Sequence, residues 1–294
     1  MVFVTGVGRS GTTLLQSMLH AHSQIHFSPE THFFKRYIIP FLLSCKRPGW
    51  NQLENDEYLK RLEPALRQMV IAAPLQILQD YREVFIKIVK GSSNAALLGD
   101  KDTEYVRYIP HVKKVFPKAR WLHIIRDPRD VIASRLKTDW GSKRGLAFHV
   151  AEYQYYIAKV QRDLQHCFPN MYHELRYEDL LARPENELQK VMDFLQLPFE
   201  PQMLAFYKGN KDLVAESEKN WKQKVSQPLD ANNSGKWQES LSPEQAALIE
   251  EDLHYFMRKH HYNFAGNKCN MLQKLPRNAW RYAFQYKTWK ETLR

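Results

Sequence analysis

Residues 2–19 of the chain read VFVTGVGRSGTTLLQSML. An apolar run leads into a glycine-bearing turn, and apolar residues at helical spacing follow, so the stretch predicts a strand, a loop and a helix. Backbone N–H groups at a helix N-terminus are unpaired and carry partial positive charge, so they bind phosphate or sulfate well. Because Gly6, Gly8 and Gly11 let the backbone approach an anion closely, the loop predicts an anion-binding site.

This loop reads G-x-x-x-x-G-T-T, with Thr12 at the position where a nucleotide-triphosphatase P-loop has its lysine. That lysine contacts the β- and γ-phosphates, so its absence argues against ordinary ATP or GTP hydrolysis. Arg9 instead places a cation inside the loop, and Ser10 and Thr13 add hydroxyl donors. We therefore predict a nucleotide with several anionic groups, held by cations and hydroxyls and without a metal.

A second candidate anion site lies in residues 121–137, WLHIIRDPRDVIASRLK. Arg126 follows the clearest buried strand, at the carboxyl end where α/β folds bind ligands. Its guanidinium can bind a phosphate through two hydrogen bonds, and Ser134 in the following helix can add a donor. A structural ion pair of Arg126 with Asp127 or Asp130 is an equally supported alternative. Two anion sites on one sheet suggest one ligand with phosphates at both ends.

Helical segments alternate with short apolar runs along most of the chain, which is typical of an α/β fold. We predict a P-loop-like three-layer fold, in which helices flank a central, mainly parallel sheet. The predicted strands lie at 2–4, 95–98, 121–125 and within 171–180. The predicted helices follow the first loop and cover 57–89 (interrupted near Pro74), 109–116, 128–136, 146–167, 185–195 and 243–256. Residues 207–237 are expected to be rich in loops.

The composition is that of a folded protein with an excess of positive charge. The chain has 294 residues, of which 44% are hydrophobic, and a formal net charge of +11. Cys45, Cys167 and Cys269 are odd in number and far apart, which argues against a disulfide framework or a cysteine zinc site. We find no signal peptide and no apolar stretch of about 20 residues. A cytoplasmic location is the expectation, and a removed N-terminal anchor is the alternative.

Residues 265–294 differ in composition from the rest of the chain. They contain seven Lys/Arg, one acidic residue and five large aromatic residues, Trp280, Tyr282, Phe284, Tyr286 and Trp289. We assign residues 1–264 to one domain and this basic, aromatic extension to packing on the domain or on a partner subunit, since aromatic residues usually serve burial. Peripheral membrane contact through the extension and a homodimer are the alternatives. We expect no nucleic-acid partner.

Together these motifs resemble the sulfotransferase family that uses 3′-phosphoadenosine-5′-phosphosulfate (PAPS). GRSGTT (8–13) resembles the loop that binds the 5′-phosphosulfate, and RDPRDVIASR (126–135) resembles the segment that binds the 3′-phosphate. LRYEDLLARPENELQKVMDFL (175–195) and SGKW (234–237) resemble two further family segments in the same order. The resemblance runs from residue 2 to about residue 260. The spacing from GRSGTT to SPETHFF is most similar to that of tyrosylprotein sulfotransferases and their bacterial relatives.

The resemblance implies in-line, metal-independent transfer of a sulfuryl group from PAPS to an acceptor hydroxyl or amine, with 3′,5′-adenosine bisphosphate (PAP) as the product. Glu30 matches the catalytic base of the family. Lys101 of GDKD matches the lysine that stabilises the transferring group, together with Arg9. The cofactor-binding residues that the resemblance implies are Arg9, Ser10, Gly11, Thr12, Thr13, Arg126, Ser134, Tyr177 and Lys236.

Two positions depart from the pattern of the relatives. His32 stands where they have an arginine two residues after the base, and Thr138 stands where they have an arginine beyond the 3′-phosphate serine. The acceptor therefore stays open between a sugar, a lipid, a phenol and a peptide, and we expect residues 33–90 and 139–155 to form its walls. From the residues alone, Glu30 could simply begin a helix, and His26 or His32 could be the base, since histidine titrates near neutral pH.

Two other classes of function are weighed against a sulfotransferase. One is a P-loop nucleotide kinase or NTPase, which the absence of the P-loop lysine disfavours. The other is a non-enzymatic protein that binds an anionic polymer or a membrane surface through its basic extension.

Overall fold

The computed structural model describes residues 1–30, 32–209 and 227–266, together with Ala283. These residues contain a five-stranded sheet formed by β1 (Val2–Thr5), β2 (Ile25–Phe27), β3 (Leu97–Lys101), β4 (Arg120–Ile125) and β5 (Tyr172–Arg176). The strand order is β2-β3-β1-β4-β5, and all neighbouring strands are parallel. The predicted parallel sheet is therefore confirmed.

The helices of the described residues are α1 (Thr12–His20), α2 (Ile39–Ser44), α3 (Trp50–Glu54), α4 (Pro64–Ala72), α5 (Leu78–Lys90), α6 (Ile109–Val115), α7 (Pro128–Leu136), α8 (Asp139–Ser142), α9 (Gly145–Cys167), α10 (Tyr177–Ala182), α11 (Pro184–Leu195), α12 (Pro243–Asp252) and α13 (His254–Lys259). A π-helix spans Phe34–Ile38, and 3-10 helices span Leu59–Arg61, Thr103–Arg107, Pro201–Lys208 and Lys236–Glu239.

The sheet separates two hydrophobic cores because side chains alternate between the faces of a strand. Phe3 of β1 and Trp121 of β4 face one core, where their ring centroids lie 5.1 Å apart, and α5, α6, α7, α9, α12 and α13 cover them. Val4 and Leu122 face the other core, which α1, α10 and α11 cover. This arrangement is the three-layer α/β fold that the alternating helices and strands predicted.

Differences from the prediction occur mainly where an element depends on distant partners. The three-residue strand β2, which was not predicted, exists because Ile25 pairs with Leu97 of β3. Strand β3 begins two residues later than predicted and extends through Lys101, since Val4 of β1 pairs with Lys101. The polar Asp100 and Lys101 therefore lie within a buried strand rather than after it.

The helix boundaries show the same dependence. The predicted helix over 57–89 is divided into the 3-10 helix at Leu59–Arg61, α4 and α5, with a break at 73–77 that includes Pro74. The predicted last helix is divided at Leu253, between α12 and α13. By contrast, α7 has the predicted bounds, because Pro at its first position and the Asp127 cap define its start locally.

The extension of residues 265–294 lies outside the described residues except for its first two residues and Ala283. The backbone N–H of Ala265 donates to Glu250 Oε1 of α12 at 2.9 Å, so the start of the extension is held on the domain. The division at residue 264 stays a prediction. Within the described parts of the chain, no helix combines the length and the apolarity that crossing a bilayer requires.

Candidate active site

The glycine-rich loop turns sharply between β1 and α1. The N–H of Ser10 donates to the carbonyl of Val7 at 3.0 Å, and Gly11 at the N-terminus of α1 has a φ of 97°. A Cβ atom on Gly11 would lie 2.3 Å from Cδ2 of Tyr177, so the ring packs directly against the loop. Glycine at this position therefore satisfies both a left-handed backbone and a close approach. Thr12 begins the helix, as predicted.

The structure brings the two candidate anion sites together. Arg9 Nε donates to Ser134 Oγ at 3.0 Å, and Arg126 Nη1 donates to the carbonyl of Arg9 at 3.3 Å. Arg135 Nε donates to the carbonyl of Gly8 at 3.1 Å. These contacts form because β1 and β4 are adjacent and parallel, so the segments that follow them leave the same edge of the sheet. The two motifs are therefore parts of one site.

Positive charge is concentrated at this junction. Burial lowers the pKa of Arg9, and the neighbouring charges of Arg126 and Arg135 lower it further. Glu152 pairs with Arg135 at 2.7 Å, but among the described residues no carboxylate forms an ion pair with Arg9. Neighbouring guanidinium groups repel one another, and an anion bound between them would relieve that repulsion. The electrostatics of the junction therefore favour an anionic ligand.

Of the two carboxylates that the sequence offered as structural partners of Arg126, only Asp130 lies within reach of it. Its Nη2 donates to the carbonyl of Asn233 at 2.9 Å and lies 3.5 Å from Asp130 Oδ2, and its guanidinium stacks 4.3 Å from the centre of the Tyr177 ring. Asp127 pairs instead with Arg129, at 2.6 Å. The structural pairing of Arg126 is thus limited to a long contact with Asp130, while its side chain lines the cavity.

A cavity of about 760 Å³ opens at this edge of the sheet. The predicted site residues that line it are Arg9, Gly11, Thr12, Thr13, Glu30, Lys101, Arg126, Ser134 and Tyr177. Ser10 is buried within the loop, 1% exposed, with no hydrogen-bond partner for its Oγ among the described residues. Lys236 lies at the surface, with Nζ 3.7 Å from Asp230 Oδ2. The structure therefore brings all but two of the predicted residues to one cavity.

Glu30 lies outside any helix and forms an ion pair with Lys101. The Lys101 side chain is 1% exposed, whereas that of Glu30 is 12% exposed and lines the cavity. His32 is close by, with Nε2 3.7 Å from Glu30 Oε2 and with Nδ1 donating to Asp102 Oδ2 at 2.7 Å. His26 does not line the cavity, and its ring lies 5.1 Å from that of His20. The geometry favours Glu30 over His26 as a base.

Glu30, His32 and Asp102 also present three metal-ligand atoms within 4.8 Å of one another. Carboxylate and imidazole groups are ordinary metal ligands. Here, however, Glu30 already pairs with Lys101, and Asp102 already accepts the His32 Nδ1 proton. We therefore assign no metal to this group, and the expectation of a metal-independent reaction stays a prediction.

Several supporting residues were missed from the sequence. Asp130 accepts from the backbone N–H groups of Gly235 and Trp237, each at 2.8 Å, and so holds the SGKW segment on α7. Asn233 donates through Nδ2 to the Tyr177 hydroxyl at 2.6 Å. Arg135, which supports the glycine-rich loop, is adjacent to the predicted Ser134. Only its place in the RDPRDVIASR motif could have indicated its role, because its contacts involve residues far away in the chain.

With this geometry established, comparison with known proteins gives the class. The family model described as the sulfotransferase family matches residues 2–201, which is more than half of the chain. The chain belongs to the sulfotransferase family, and the resemblance inferred from the motifs is confirmed.

Several of its curated relatives are named protein-tyrosine sulfotransferases. A putative protein-tyrosine sulfotransferase of Caenorhabditis briggsae is 26% identical over 214 residues, which cover 69% of this chain and 68% of that protein. Protein-tyrosine sulfotransferase 1 of Danio rerio is 26% identical over 218 residues, covering 69% and 55%. The chain spans about half the length of several of the curated relatives that it matches.

Solved structures share the fold at low sequence identity. The sulfotransferase domain of the Synechococcus PCC 7002 olefin synthase superposes with a TM-score of 0.66 at 22% identity, covering 90% of this chain and 95% of that chain. The mouse sulfotransferase SULT7A1, solved as a complex with PAP, gives a TM-score of 0.50 at 13% identity and covers 88% and 84%. These similarities show a sulfotransferase fold.

Proposed function

We propose that this protein transfers the sulfuryl group of PAPS to an acceptor hydroxyl or amine and releases PAP. The observation that carries the proposal is the junction of Arg9, Arg126 and Ser134 at the N-terminus of α1. This junction suits a nucleotide with anionic groups at both ends, and PAPS is such a nucleotide. The PAP complex of the mouse enzyme, whose fold is similar, supports the same assignment.

In this proposal each of the two motifs binds one end of the nucleotide. The backbone N–H groups of Gly11, Thr12 and Thr13 bind the 5′-phosphosulfate at the positive end of α1. Arg126 and Ser134 bind the 3′-phosphate, the first through its planar guanidinium. Tyr177 packs against Gly11 and stacks on the Arg126 guanidinium. It therefore fixes the 5′-phosphosulfate site and the 3′-phosphate site relative to each other. Lys236 and Ser10 stay predictions as cofactor contacts.

Transfer then requires an acceptor oxygen or nitrogen to attack sulfur in line. The new bond forms to sulfur while the bond between sulfur and the nucleotide phosphate oxygen breaks, and that oxygen leaves with the electron pair as PAP. Glu30 accepts the proton of the acceptor, a role worth about 10²- to 10⁴-fold in rate. Lys101 and Arg9 stabilise the negative charge that develops on the sulfuryl and leaving oxygens.

Beyond the nucleotide-binding motifs, the cavity lining contains basic and aromatic side chains together with the acidic residues Glu104, Asp139 and Glu152. Arg107, Trp140 and Arg144 line the cavity. Residues of the stretch 139–155 line the cavity, whereas no residue of 33–90, all of which are described, does so. Thr103, Glu104, Val106 and Arg107 line it as well, and their role as acceptor walls stays a prediction. A sugar, a lipid, a phenol and a peptide stay the candidate acceptors, and the names of the curated relatives support testing a peptide tyrosine first.

Calorimetric titration separates the proposal from the kinase alternative. We expect PAP to bind tightly without Mg²⁺, and Mg-ATP to bind more weakly. A preference for Mg-ATP would overturn the proposal.

Incubation with ³⁵S-labelled PAPS and a panel of the four acceptor classes then identifies the product. Deleting residues 265–294 tests the non-enzymatic alternative, since a sulfotransferase site should still bind PAP. The cytoplasmic location and a homodimer stay predictions.

A further inference from the structure

His32 is held in an unusual conformation beside Glu30. Its φ is +52°, in the left-handed region that residues with a side chain rarely adopt. The ring is fixed by the hydrogen bond from Nδ1 to Asp102 and by the Tyr58 ring, which lies edge-on with its centroid 4.7 Å away. These contacts direct Nε2 toward Glu30 Oε2, at 3.7 Å. Backbone strain of this kind is often found at functional sites.

The hydrogen bonds define the state of the ring. Asp102 is buried, and its Oδ1 already accepts the backbone N–H of Glu104 at 2.8 Å, so the carboxylate acts as an acceptor toward His32 Nδ1. In a neutral imidazole with its proton on Nδ1, Nε2 would direct a lone pair at the Glu30 carboxylate. In an imidazolium, Nε2 carries a proton and the contact becomes attractive. The geometry therefore favours the charged form of His32.

The other charged groups around His32 are mixed in sign. Burial opposes protonation, but the hydrogen bond and the charge of Asp102 outweigh it, and Asp100 adds a smaller contribution, so the pKa of His32 is raised; Lys35 opposes the shift. Lys101 pairs with Glu30 Oε1, while Nε2 of His32 lies closest to Oε2. Glu30 thus lies between two cations, one at each oxygen.

We propose that His32 is a positioning residue for the base: its imidazolium, fixed by Asp102, holds one oxygen of Glu30 while Lys101 holds the other. This inference rests on the proposed function, since it gives Glu30 its role as the proton acceptor. Two fixed cations keep the carboxylate ionised and fix its rotamer. One of the two cations, His32, can lose its proton. The Glu30 carboxylate then loses the contact that holds one of its oxygens. An arginine at this position would stay charged, so its support of Glu30 would not be lost in this way.

Histidine NMR tests the charge coupling without any acceptor. The chain has 12 histidines, and the loss of one resonance in His32→Gln identifies the His32 signal. We expect its midpoint to lie above about 6.5, the ordinary value for histidine. Glu30→Gln should lower it by about 0.7 pH unit or more, the shift that two unit charges about 4 Å apart produce even in water. Asp102→Asn should lower it further, while Glu57→Gln, which removes an exposed carboxylate that pairs with Lys60, should leave it unchanged.

Turnover tests the positioning role through rescue. With water as the acceptor, release of PAP from PAPS by the native protein should fall as the pH rises through the His32 midpoint. His32→Arg should remain active and lose that alkaline decline. His32→Gln should be slower than the native protein below the His32 midpoint and similar to it above the midpoint, with PAP affinity retained. The inference is overturned if His32→Arg is no better than His32→Gln, or if Glu30→Gln leaves the His32 midpoint unchanged. Failure of the native protein to bind PAP would overturn the proposed function instead, and the NMR titration would still decide the coupling.

Discussion

Arg9 and Ser134 are 125 residues apart in the chain, yet Nε of the first donates to Oγ of the second at 3.0 Å. The sheet order explains the contact. From β1 the chain continues to β2 and β3 on one side, whereas β4 lies on the other side of β1. A crevice forms at the carboxyl ends of strands where the connections diverge in this way, and ligands of α/β folds bind there. The cavity of this protein lies at that point.

Arg126→Ala should weaken PAP binding by about tenfold to a hundredfold, because a hydrogen bond to a charged group contributes about 1.5–3 kcal/mol. The measurement is calorimetric titration with PAP and, in parallel, with adenosine 5′-phosphosulfate, which lacks the 3′-phosphate. The second ligand should lose much less affinity. Equal losses for both ligands would contradict a role in 3′-phosphate binding.

Glu30→Gln should lower turnover by about 10²- to 10⁴-fold while PAP affinity is retained, because the amide preserves the shape of the side chain but cannot accept the proton. Transfer from labelled PAPS measures the rate, and titration with PAP reports the integrity of the nucleotide site. Unchanged turnover would move the base to another group near the acceptor, and His32 is the nearest.

Gly11→Ala should destabilise the protein and abolish tight PAP binding, because the new methyl group would overlap the Tyr177 ring as well as strain the backbone. Gly145→Ala is the matched control, since Gly145 has a φ of 73° and open space around it. The control should cost about 1–2 kcal/mol for the left-handed backbone alone. Thermal unfolding compares the two variants, and equal losses of stability would show that the contact with Tyr177 is unimportant.

Glu174 should make the stability of the protein sensitive to acid. Burial opposes its ionisation, but the hydrogen bond and charge of His123, with Gln161 and His260, lower the pKa of Glu174 from 4.5 to about 2. The folded state therefore holds this proton less tightly than the unfolded state, and the stabilisation is complete above 4.5 and is lost as the pH falls toward about 2. Urea unfolding between pH 6 and 2.5 should show a decline in the free energy of unfolding that is smaller in Glu174→Gln. Parallel curves for the two proteins would argue against this linkage.

Much of the fold could be predicted because its signals are local. The first strand, loop and helix and the bounds of α7 follow from apolar spacing, glycine and a proline after a capping aspartate, all within a few residues of each other. Strand β2 and the polar end of β3 could not be predicted, because they are held by pairing with strands far away in the sequence. The division of the helix after Pro243 likewise has no local signal at Leu253.

Parts of the candidate site could likewise be predicted from the sequence, whereas other parts depend on the tertiary structure. By itself the sequence determined the residue types of the two motifs, since GRSGTT and RDPRDVIASR contain the donors and cations that an anionic nucleotide needs. Only the tertiary structure decided that Arg9 meets Ser134, that Arg126 contacts Asn233 and Tyr177 rather than Asp127, and that Asp102 holds His32 beside Glu30. The reason is physical: residue types determine which interactions can form, but the order of parallel strands determines which loops meet, and that order depends on contacts that no short segment contains.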